Sequence, residues 1–202
     1  MSPKQQRAEA TVDRLLAAAL QVYAASGQQG FTVNAVTRAS GVSLGSLYHH
    51  FGSFDGLAAA LYLRCMVQLC DAMSEALLRA RSARTGIRAL VAAYLRFTQE
   101  HPDVSLFIHA SAYSGRAAAQ PQEVRAADAA RFAVVSDWLR PRVVAGEVAA
   151  LPEPVIGVLV LGPVMETARR WLAGTFDVDL GQAARILPDR IWRSVQPDGS
   201  GV

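Results

Sequence analysis

The residues whose types best suit chemistry lie close together in the stretch TRASGVSLGSLYHHF, residues 37–51. Serine hydroxyls, a tyrosine and two adjacent histidines follow one another there. Hydroxyls, imidazoles and the free N–H groups of a helix start are the groups that contact phosphates and base edges of nucleic acids. The same groups also occur on ordinary capped helices that face solvent, so the surrounding elements must decide between these two interpretations.

Two short helices joined by a glycine turn are predicted around this stretch. Thr32 suits the N-cap of a helix that ends at Ser40, Gly41 suits a left-handed turn, and Ser43 suits the cap of a helix over 44–51. This is the helix-turn-helix pattern, whose second helix enters the major groove of DNA. The side chains predicted to face inward are Val33, Val36, Val42, Leu47 and Phe51. The predicted outward face carries Leu44, Gly45, Ser46, Tyr48 and His49.

The composition predicts an all-α protein. Of the 202 residues, 51% are apolar and 18% are charged, alanine is abundant, and no long run is rich in Val, Ile and Thr. We expect a helix-turn-helix DNA-binding domain over 1–53 and a helical effector-binding and dimerisation domain over 54–202. A long helix from 53 to about 81 joins them. The other predicted helices span about 4–26, 86–100, 102–114, 122–145, 153–174 and 179–195.

The charge and the apolar runs limit where the protein acts. The polar segment 1–9 has no signal core, and the longest apolar stretch, Val155–Met165, is about half of a membrane span. A soluble, cytoplasmic protein is therefore expected. The net charge of +3 and the pI near 9.2 permit an anionic partner without requiring one.

Catalytic motifs are missing from the sequence. It has no glycine-rich phosphate loop, no nucleophile elbow and no set of His, Cys and Asp residues at the spacing of metal ligands. Cys65 and Cys70 would lie roughly 140° apart on a helix, which does not suit a shared metal or a local disulfide. We therefore expect no enzymatic activity, no cofactor and no metal.

A dimer is predicted from the helix over 153–174, which is apolar on every side. Such a helix must be covered all round, by its own domain on one face and by a second subunit on the other. The alternative is a central helix in a monomeric bundle. The predicted interface residues are Val155, Leu159, Gly162, Leu180, Ala184, Leu187 and Ile191.

A small-molecule site is predicted from aromatic and soft apolar residues with a few polar groups among them, a combination typical of ligand pockets. Each of these residues is also compatible with an ordinary core. The set favours a small, mainly apolar effector. Its members are Tyr94, Phe97, Phe107, His109, Tyr113, Trp138 and Met165.

The segment TVNAVTRASGVSLGSLYHHFGSFDGL resembles the DNA-binding domain of the tetracycline-repressor (TetR) family of bacterial regulators. The resemblance covers about residues 10–60, and its "GVS…SLYHHF" core is highly specific. It implies an Ω-shaped homodimer, a ligand cavity in each C-terminal domain and repression relieved by a small molecule. The segment GPVMETARRWLAG lies where that family usually dimerises.

The resemblance also implies roles for single residues. Thr32 would contact phosphate, Ser43, Gly45, Ser46 and Tyr48 would lie on the groove face, and His49 and His50 would meet backbone or bases. With Arg38 and Leu44, these nine residues form the predicted DNA-binding site.

Three positions depart from the family pattern. Leu44 and Phe54 stand where lysines are common, and Thr37 replaces a small alanine. Each lost phosphate contact lowers the log–log salt slope by roughly 0.9, so weaker and less salt-dependent binding is expected. Residues 1–60 carry only four basic residues against three acidic ones, although Lys4, Arg7 and Arg38 partly compensate.

The sequence therefore predicts a transcriptional regulator that binds double-stranded DNA, a repressor released from a palindromic operator by a small effector. The alternative is a helical ligand-binding or scaffold protein with weakened DNA affinity. The two missing lysines keep that alternative open.

Overall fold

The computed structural model of the protein describes residues 2–110, 122–174 and 179–197. Across these residues all regular secondary structure is α-helical, which confirms the all-α prediction. In chain order the helices are α1 (Pro3–Gly30), α2 (Val33–Ser40), α3 (Leu44–Phe51), α4 (Phe54–Leu78), α5 (Ala83–Glu100), α6 (Pro102–Ala110), α7 (Gln122–Val144), α8 (Glu153–Leu172) and α9 (Leu180–Val195).

α1 is interrupted at Gly27, directly after the predicted end of the first helix near residue 26. α1 extends to Gly30, and Gly27 inside it is non-helical, with φ 60° and ψ −163°. A left-handed φ costs glycine little because it has no Cβ. Gly27 therefore ends the regular helix that begins at Pro3 and kinks the chain before the last residues of α1.

The fifth helix begins earlier than predicted because Ser82 caps it. The Ser82 hydroxyl accepts a hydrogen bond from the Thr85 backbone N–H at 3.3 Å, and the Thr85 hydroxyl accepts one from the Ser82 N–H at 3.2 Å. This reciprocal capping box satisfies two backbone donors at the helix start. The helix predicted over 102–114 is observed as α6 to Ala110, and its last predicted residues lie outside the described part.

Contacts along the chain divide it into two compact units. The first comprises Met1–Cys65 and Leu106–Arg125, and the second comprises Met66–Ser105 and Ala126–Val202. The division falls inside α4, the helix predicted to join the two domains.

In the first unit, α1 packs against α2, and α2 packs against α3. An aromatic cluster, formed by the rings of Tyr23, Phe31, Phe54 and Phe107, extends its core. Burial raises the pKa of the Tyr23 phenol. The most deeply buried aliphatic side chains of the first unit include Leu15, Ala19, Val36, Leu47, Leu57 and Leu61.

In the second unit, α5, α8 and α9 pack against one another. The connection after α7 is held to this group by two hydrogen bonds. The Glu147 carboxylate accepts from the Ala83 N–H at 2.8 Å, and the Ala149 N–H donates to the Val195 carbonyl at 2.9 Å. The buried apolar residues include Ile87, Leu90, Val91, Val160, Val164, Ala168, Ile191 and Val195.

Helix α4 is the one described helix long and apolar enough to cross a membrane by length and composition alone. Half of its most apolar window is buried inside the protein, as in a core helix. It carries both cysteines. Cys65 is buried and Cys70 is half-buried, and burial raises the pKa of the Cys65 thiol to about 12.

Candidate nucleic-acid interface

The turn between α2 and α3 has the geometry that the sequence predicts. Gly41 ends α2 with φ 64° and ψ 18°, the left-handed conformation that favours glycine. The Ser40 hydroxyl supports the same turn, since it donates to the Thr37 carbonyl and accepts from the Val42 N–H, both at 3.2 Å. The turn thereby fixes the direction in which α3 leaves α2.

Both helices begin at the predicted caps. The Thr32 hydroxyl accepts from the Ala35 N–H at 3.3 Å, and the Ser43 hydroxyl accepts from the Ser46 N–H at 3.2 Å. Both capping residues have extended backbones, as N-caps require. The predictions of caps at Thr32 and Ser43 are confirmed.

The inward face of the two helices is closed by a small apolar set. Val36 on α2 and Leu47 on α3 are fully buried. Val42, in the turn that joins the two helices, is buried as well. Phe51 is half-buried. These contacts fix the rotation of α3 about its axis, and so decide which side chains face outward.

The outward face of α3 carries large side chains beside a very small one. Leu44 is 46% exposed and Tyr48 is 43% exposed. A Cβ built on Gly45 meets no atom within 4 Å, so the helix surface there is open to a close approach. Ser46 is half-buried, and its backbone N–H already bonds to Ser43.

The two histidines complete this face at the end of α3. His49 is exposed and His50 is half-buried, and their ring centroids lie 5.2 Å apart in an edge-to-face arrangement. Gly52, with φ 71°, ends the helix and donates its N–H to the Tyr48 carbonyl at 2.9 Å. The imidazoles are therefore held near the helix end, where their donors can face a phosphate.

Thr32 caps α2 and Arg38 lies on α2, and both are exposed. All nine residues predicted to contact DNA thus lie on the helix-turn-helix formed by α2, the turn and α3. Seven are exposed, whereas Ser46 and His50 are half-buried. Their contact with DNA stays a prediction.

Two of the departures from the family pattern have a structural explanation. The ring of Phe54 packs on Phe31 at a centroid distance of 4.9 Å, so it extends the aromatic cluster where a lysine would face solvent. The Thr37 hydroxyl donates to the Val33 carbonyl at 3.0 Å, which satisfies the extra polar group within α2. Leu44 has no such explanation, because it remains exposed.

The residues predicted to line an effector site fall in both units. Phe107 and His109 belong to the first unit, where Phe107 is fully buried with its ring 4.7 Å from that of Tyr23. Tyr113 lies outside the described residues. The remaining four, which belong to the second unit, are Tyr94, Phe97, Trp138 and Met165.

Within the second unit these residues have different surroundings. Tyr94 and Phe97 are buried, and the Phe97 ring lies 4.9 Å from that of His101. Trp138 is half-buried beneath the Arg142 guanidinium, whose central carbon lies 3.5 Å from a ring centroid. Met165 is half-buried. These contacts make Phe97 and Trp138 packing partners of His101 and Arg142, and a ligand role for all four residues stays a prediction.

A cavity of about 110 Å³ opens between α7 and α8 in the second unit, and none of the predicted effector residues lines it. An ion pair lies at its edge, with Arg140 Nη2 and Glu153 Oε1 2.9 Å apart. The hydrogen bond from Arg140 lowers the pKa of Glu153. The lining residues are Ser136, Leu139, Arg140, Val143, Val144, Leu151, Glu153, Ile156 and Gly157. The sequence carried no signal for this cavity, because its walls come from two helices and the connection between them.

The residues predicted to form a dimer interface divide into two groups. Leu180 and Ile191 are each only 3% exposed, so they have little surface left for a partner. Val155 is exposed, and the others, Leu159, Gly162, Ala184 and Leu187, are half-buried. Two exposed apolar residues beside them, Val158 on α8 and Ile186 on α9, were missed by the sequence reasoning.

The described residues contain no group of three or more His, Cys, Asp or Glu side chains that could hold a metal ion.

Comparison with known proteins connects this geometry to a family. Residues 15–61, which include α2, the turn and α3, match the family of bacterial regulatory proteins, tetR family. None of the curated proteins matches the chain significantly.

Solved structures share the fold over nearly the whole chain. A TetR family transcription regulator from Marinobacter aquaeolei VT8 superposes with a TM-score of 0.78 at 21% identity, covering 96% of this chain and 100% of that one. The transcriptional regulator FadR from Bacillus subtilis, in complex with stearoyl-CoA, gives 0.77 at 16% identity, covering 88% and 96%. The fatty acid degradation regulator FadR from Bacillus halodurans gives 0.76 at 16% identity, covering 95% of each chain. At these identities the likeness establishes the fold.

Proposed function

We propose that this chain is a cytoplasmic repressor that binds a palindromic operator as a homodimer. Its N-terminal region belongs to the tetR family of bacterial regulatory proteins, and its fold is that of TetR-family transcription regulators. The observation that carries the proposal is the outward face of α3. Its rotation is fixed by buried Leu47 and its start by the Ser43 cap, and it presents Tyr48 and His49 beside the open surface at Gly45.

The chemistry of this face suits the major groove. A helix of this diameter fits the groove, and Gly45 and Ser46 allow its backbone to approach the bases closely. Thr32 and Arg38 are exposed on the neighbouring helix, where a hydroxyl and a guanidinium can contact phosphates. Phosphate contacts position the protein, and base contacts from α3 give specificity.

A second subunit is needed for a palindromic operator, because each half-site takes one recognition helix. The exposed apolar residues Val155 and Val158 of α8 and Ile186 of α9 supply a surface for it. Half-buried Leu159, Gly162, Ala184 and Leu187 adjoin them on the same two helices. Leu180 and Ile191 instead stabilise the protomer.

A small, mainly apolar effector is proposed to release the operator. The FadR structure from Bacillus subtilis is in complex with stearoyl-CoA, whose long acyl chain supports a ligand with a large apolar part for this fold. Release requires that the ligand bind more tightly to the conformation whose recognition helices do not fit the grooves. Helix α4 contributes residues to both units and is the candidate for transmitting the change.

The proposal is tested by selecting duplexes from a random library with the purified protein at low salt. We expect a palindromic motif with half-sites about one helical turn apart, or a multiple of it. Tyr48→Ala should weaken binding to this motif while leaving the circular dichroism spectrum unchanged, because Tyr48 is exposed. If no motif is enriched, the proposal fails and the alternative of a helical ligand-binding protein with weakened DNA affinity is favoured, as the absence of lysine at Leu44 and Phe54 suggests.

The effector is tested by titrating the protein–operator complex with acyl-CoA thioesters and apolar aromatic acids. A responsive compound should release wild-type protein from the operator, and His109→Ala should weaken that response without changing operator affinity in the absence of the compound. An equal response in wild type and variant would place the effector site elsewhere. The cavity between α7 and α8 is then tested with Leu139→Trp, which would fill it.

A further inference from the structure

We infer that Leu44, with the ring of Tyr48 beside it, recognises the C5-methyl group of a thymine in each operator half-site. The inference rests on the proposed function and adds to it a base identity and the residue that selects it.

The first observation is the isolation of this apolar pair. Among the described residues of the first unit, the exposed large apolar side chains are Leu44, at 46%, and Tyr48, at 43%. The two are four residues apart on α3, and side chains at that spacing are neighbours on one helix face. They therefore form a single apolar patch on the face proposed to enter the groove.

The second observation is that the protomer does not need Leu44 in its core. The inward side of the helix-turn-helix is already filled by Val36, Val42 and Leu47, each less than 7% exposed. Leu44 is the first residue of α3, directly after its Ser43 cap, and at 46% exposure it is not part of this buried set. An isobutyl group there stabilises little in the free protein.

The third step is a match of chemistry. Base edges in the major groove present hydrogen-bond donors and acceptors, and the one apolar group among them is the thymine methyl. A leucine side chain makes no hydrogen bond, and covering a polar base edge with it leaves that edge unsatisfied, at a cost. The Leu44 side chain therefore favours T·A over C·G at the base it meets.

The open surface at Gly45 makes the contact possible. Apart from its two chain neighbours and the backbone of its own helix, no atom lies within 4 Å of a Cβ built there, so the surface at Gly45 is open to a close approach of the base pairs. The Tyr48 ring, one turn further along, covers the side of the methyl group that Leu44 leaves open. A lysine at position 44 would instead offer hydrogen-bond donors to phosphate or guanine, so leucine at this position changes the kind of group that is recognised.

The experiment uses the selected duplex and removes only methyl groups. Each thymine is replaced in turn by deoxyuridine, which keeps its base pairing, and binding is measured at fixed salt. With wild-type protein, one thymine position in each half-site should lose affinity about fourfold, and about fifteenfold when both half-sites are changed. In Leu44→Ala both subunits lose the contact, so affinity for the thymine duplex should fall about as much as when both half-sites are changed. The deoxyuridine substitutions should then have a smaller effect at that position than with wild-type protein, because only the Tyr48 ring still meets the methyl group.

Two variants serve as controls. Tyr48→Phe keeps the ring, so it should keep the sensitivity to deoxyuridine. Leu78→Ala removes an apolar side chain that is 82% exposed in the second unit, and it should change nothing. Thermal unfolding of Leu44→Ala should match the wild type, because the side chain is exposed.

The outcomes separate the two proposals. If no duplex is selected, the proposed function fails and the thymine contact fails with it. If a duplex is selected but deoxyuridine has no effect, or affects wild type and Leu44→Ala equally, the thymine contact is wrong while DNA binding stands. Unchanged duplex affinity in Leu44→Ala would likewise overturn the contact.

Discussion

Two of the surfaces on which the molecule exposes apolar side chains differ in size and in surroundings. On α3 the patch consists of Leu44 and Tyr48, with glycine, serine and histidine around them. On α8 and α9 it is a stripe that includes Val155, Val158 and Ile186. The first is a pair of side chains on one short helix, and the second has members on two long helices.

The charges near the two surfaces differ as well. On α8 the apolar stripe is bounded at both ends by ion pairs, Arg140–Glu153 at its start and Glu166 with Arg169 and Arg170 near its end. An apolar centre with a charged rim is the usual anatomy of a protein–protein interface. On α3 the polar groups alternate with the apolar ones, which suits a partner that presents both at close spacing. The comparison indicates that the two surfaces serve different classes of partner.

The largest expected effect comes from a charge in the α8 stripe. Val158→Arg is tolerated in the protomer because Val158 is 62% exposed, but in a dimer it would bury an unpaired guanidinium. We expect a loss of about 3–5 kcal/mol of dimerisation free energy, or at least about a hundredfold in the dissociation constant. Sedimentation velocity over a concentration series measures it.

The matched control is Val67→Arg on α4, where a valine is 58% exposed outside the stripe. It should leave the dimer intact. If both variants behave like the wild type, or if the wild type itself is a monomer at micromolar concentration, α8 does not form the interface and the contrast with α3 is lost.

Two glycine-to-alanine substitutions should change the free energy of unfolding in opposite directions, and only the one on α3 should weaken DNA binding. A Cβ at Gly86 would lie 2.0 Å from Cη2 of Trp138, so Gly86→Ala should destabilise the second unit by about 1–3 kcal/mol. A Cβ at Gly45 meets open space, so Gly45→Ala should stabilise α3 by up to about 1 kcal/mol, yet weaken DNA binding by holding the helix off the bases. Urea unfolding and operator titration of both variants would test this, and weakened operator binding in Gly86→Ala alone would reverse the comparison.

A smaller effect is expected at the helix caps. Ser43→Ala and Ser82→Ala each remove a hydroxyl that accepts a backbone hydrogen bond at a helix start, at a cost of about 1 kcal/mol of unfolding free energy. Only Ser43→Ala should also reduce operator affinity, because it loosens the start of α3. Equal operator affinity in the two variants would show that the cap acts on stability alone.

The smallest effect concerns pH. Hydrogen bonds from Arg169, and then from Arg170, lower the pKa of Glu166 from 4.5 to about 2. Because the folded-state pKa is the lower one, the stabilisation is present above about pH 4.5 and is lost as the pH falls towards 2. Glu166 is exposed to solvent screening, so the difference in unfolding free energy between wild type and Glu166→Gln should be small at pH 7 and should vanish near pH 2. A difference that stays constant with pH would show that the ion pairs do not contribute.

The helix-turn-helix could be predicted closely because its signals are local. Thr32, Gly41 and Ser43 form hydrogen bonds or adopt backbone conformations that depend only on residues within one turn of helix. Residue types alone therefore placed the caps, the turn and the outward face of α3. The capping box at Ser82 was equally local, but it was overlooked because threonine replaces the more usual acidic residue at its third position.

The aromatic cluster could not be predicted because its members are far apart in the chain. Phe107 meets Tyr23 and Phe31 only after the chain has folded, so its sequence neighbours suggested a ligand site instead. The same holds for the interface residues, since periodicity marks α8 and α9 as apolar but does not tell which apolar side faces the protomer. Ile191 and Ile186 lie on one helix, yet one is buried and the other exposed.

The two cysteines of α4 should react with alkylating reagents at different rates. The Cys65 thiol, with a pKa of about 12 and 1% exposure, has almost no thiolate at neutral pH and is shielded from reagents. Cys70 is half-buried and lies in the other unit, five residues further along the same helix. Alkylation should therefore mark Cys70 first, and the later modification of Cys65 would time how often the DNA-binding unit opens, without any introduced label.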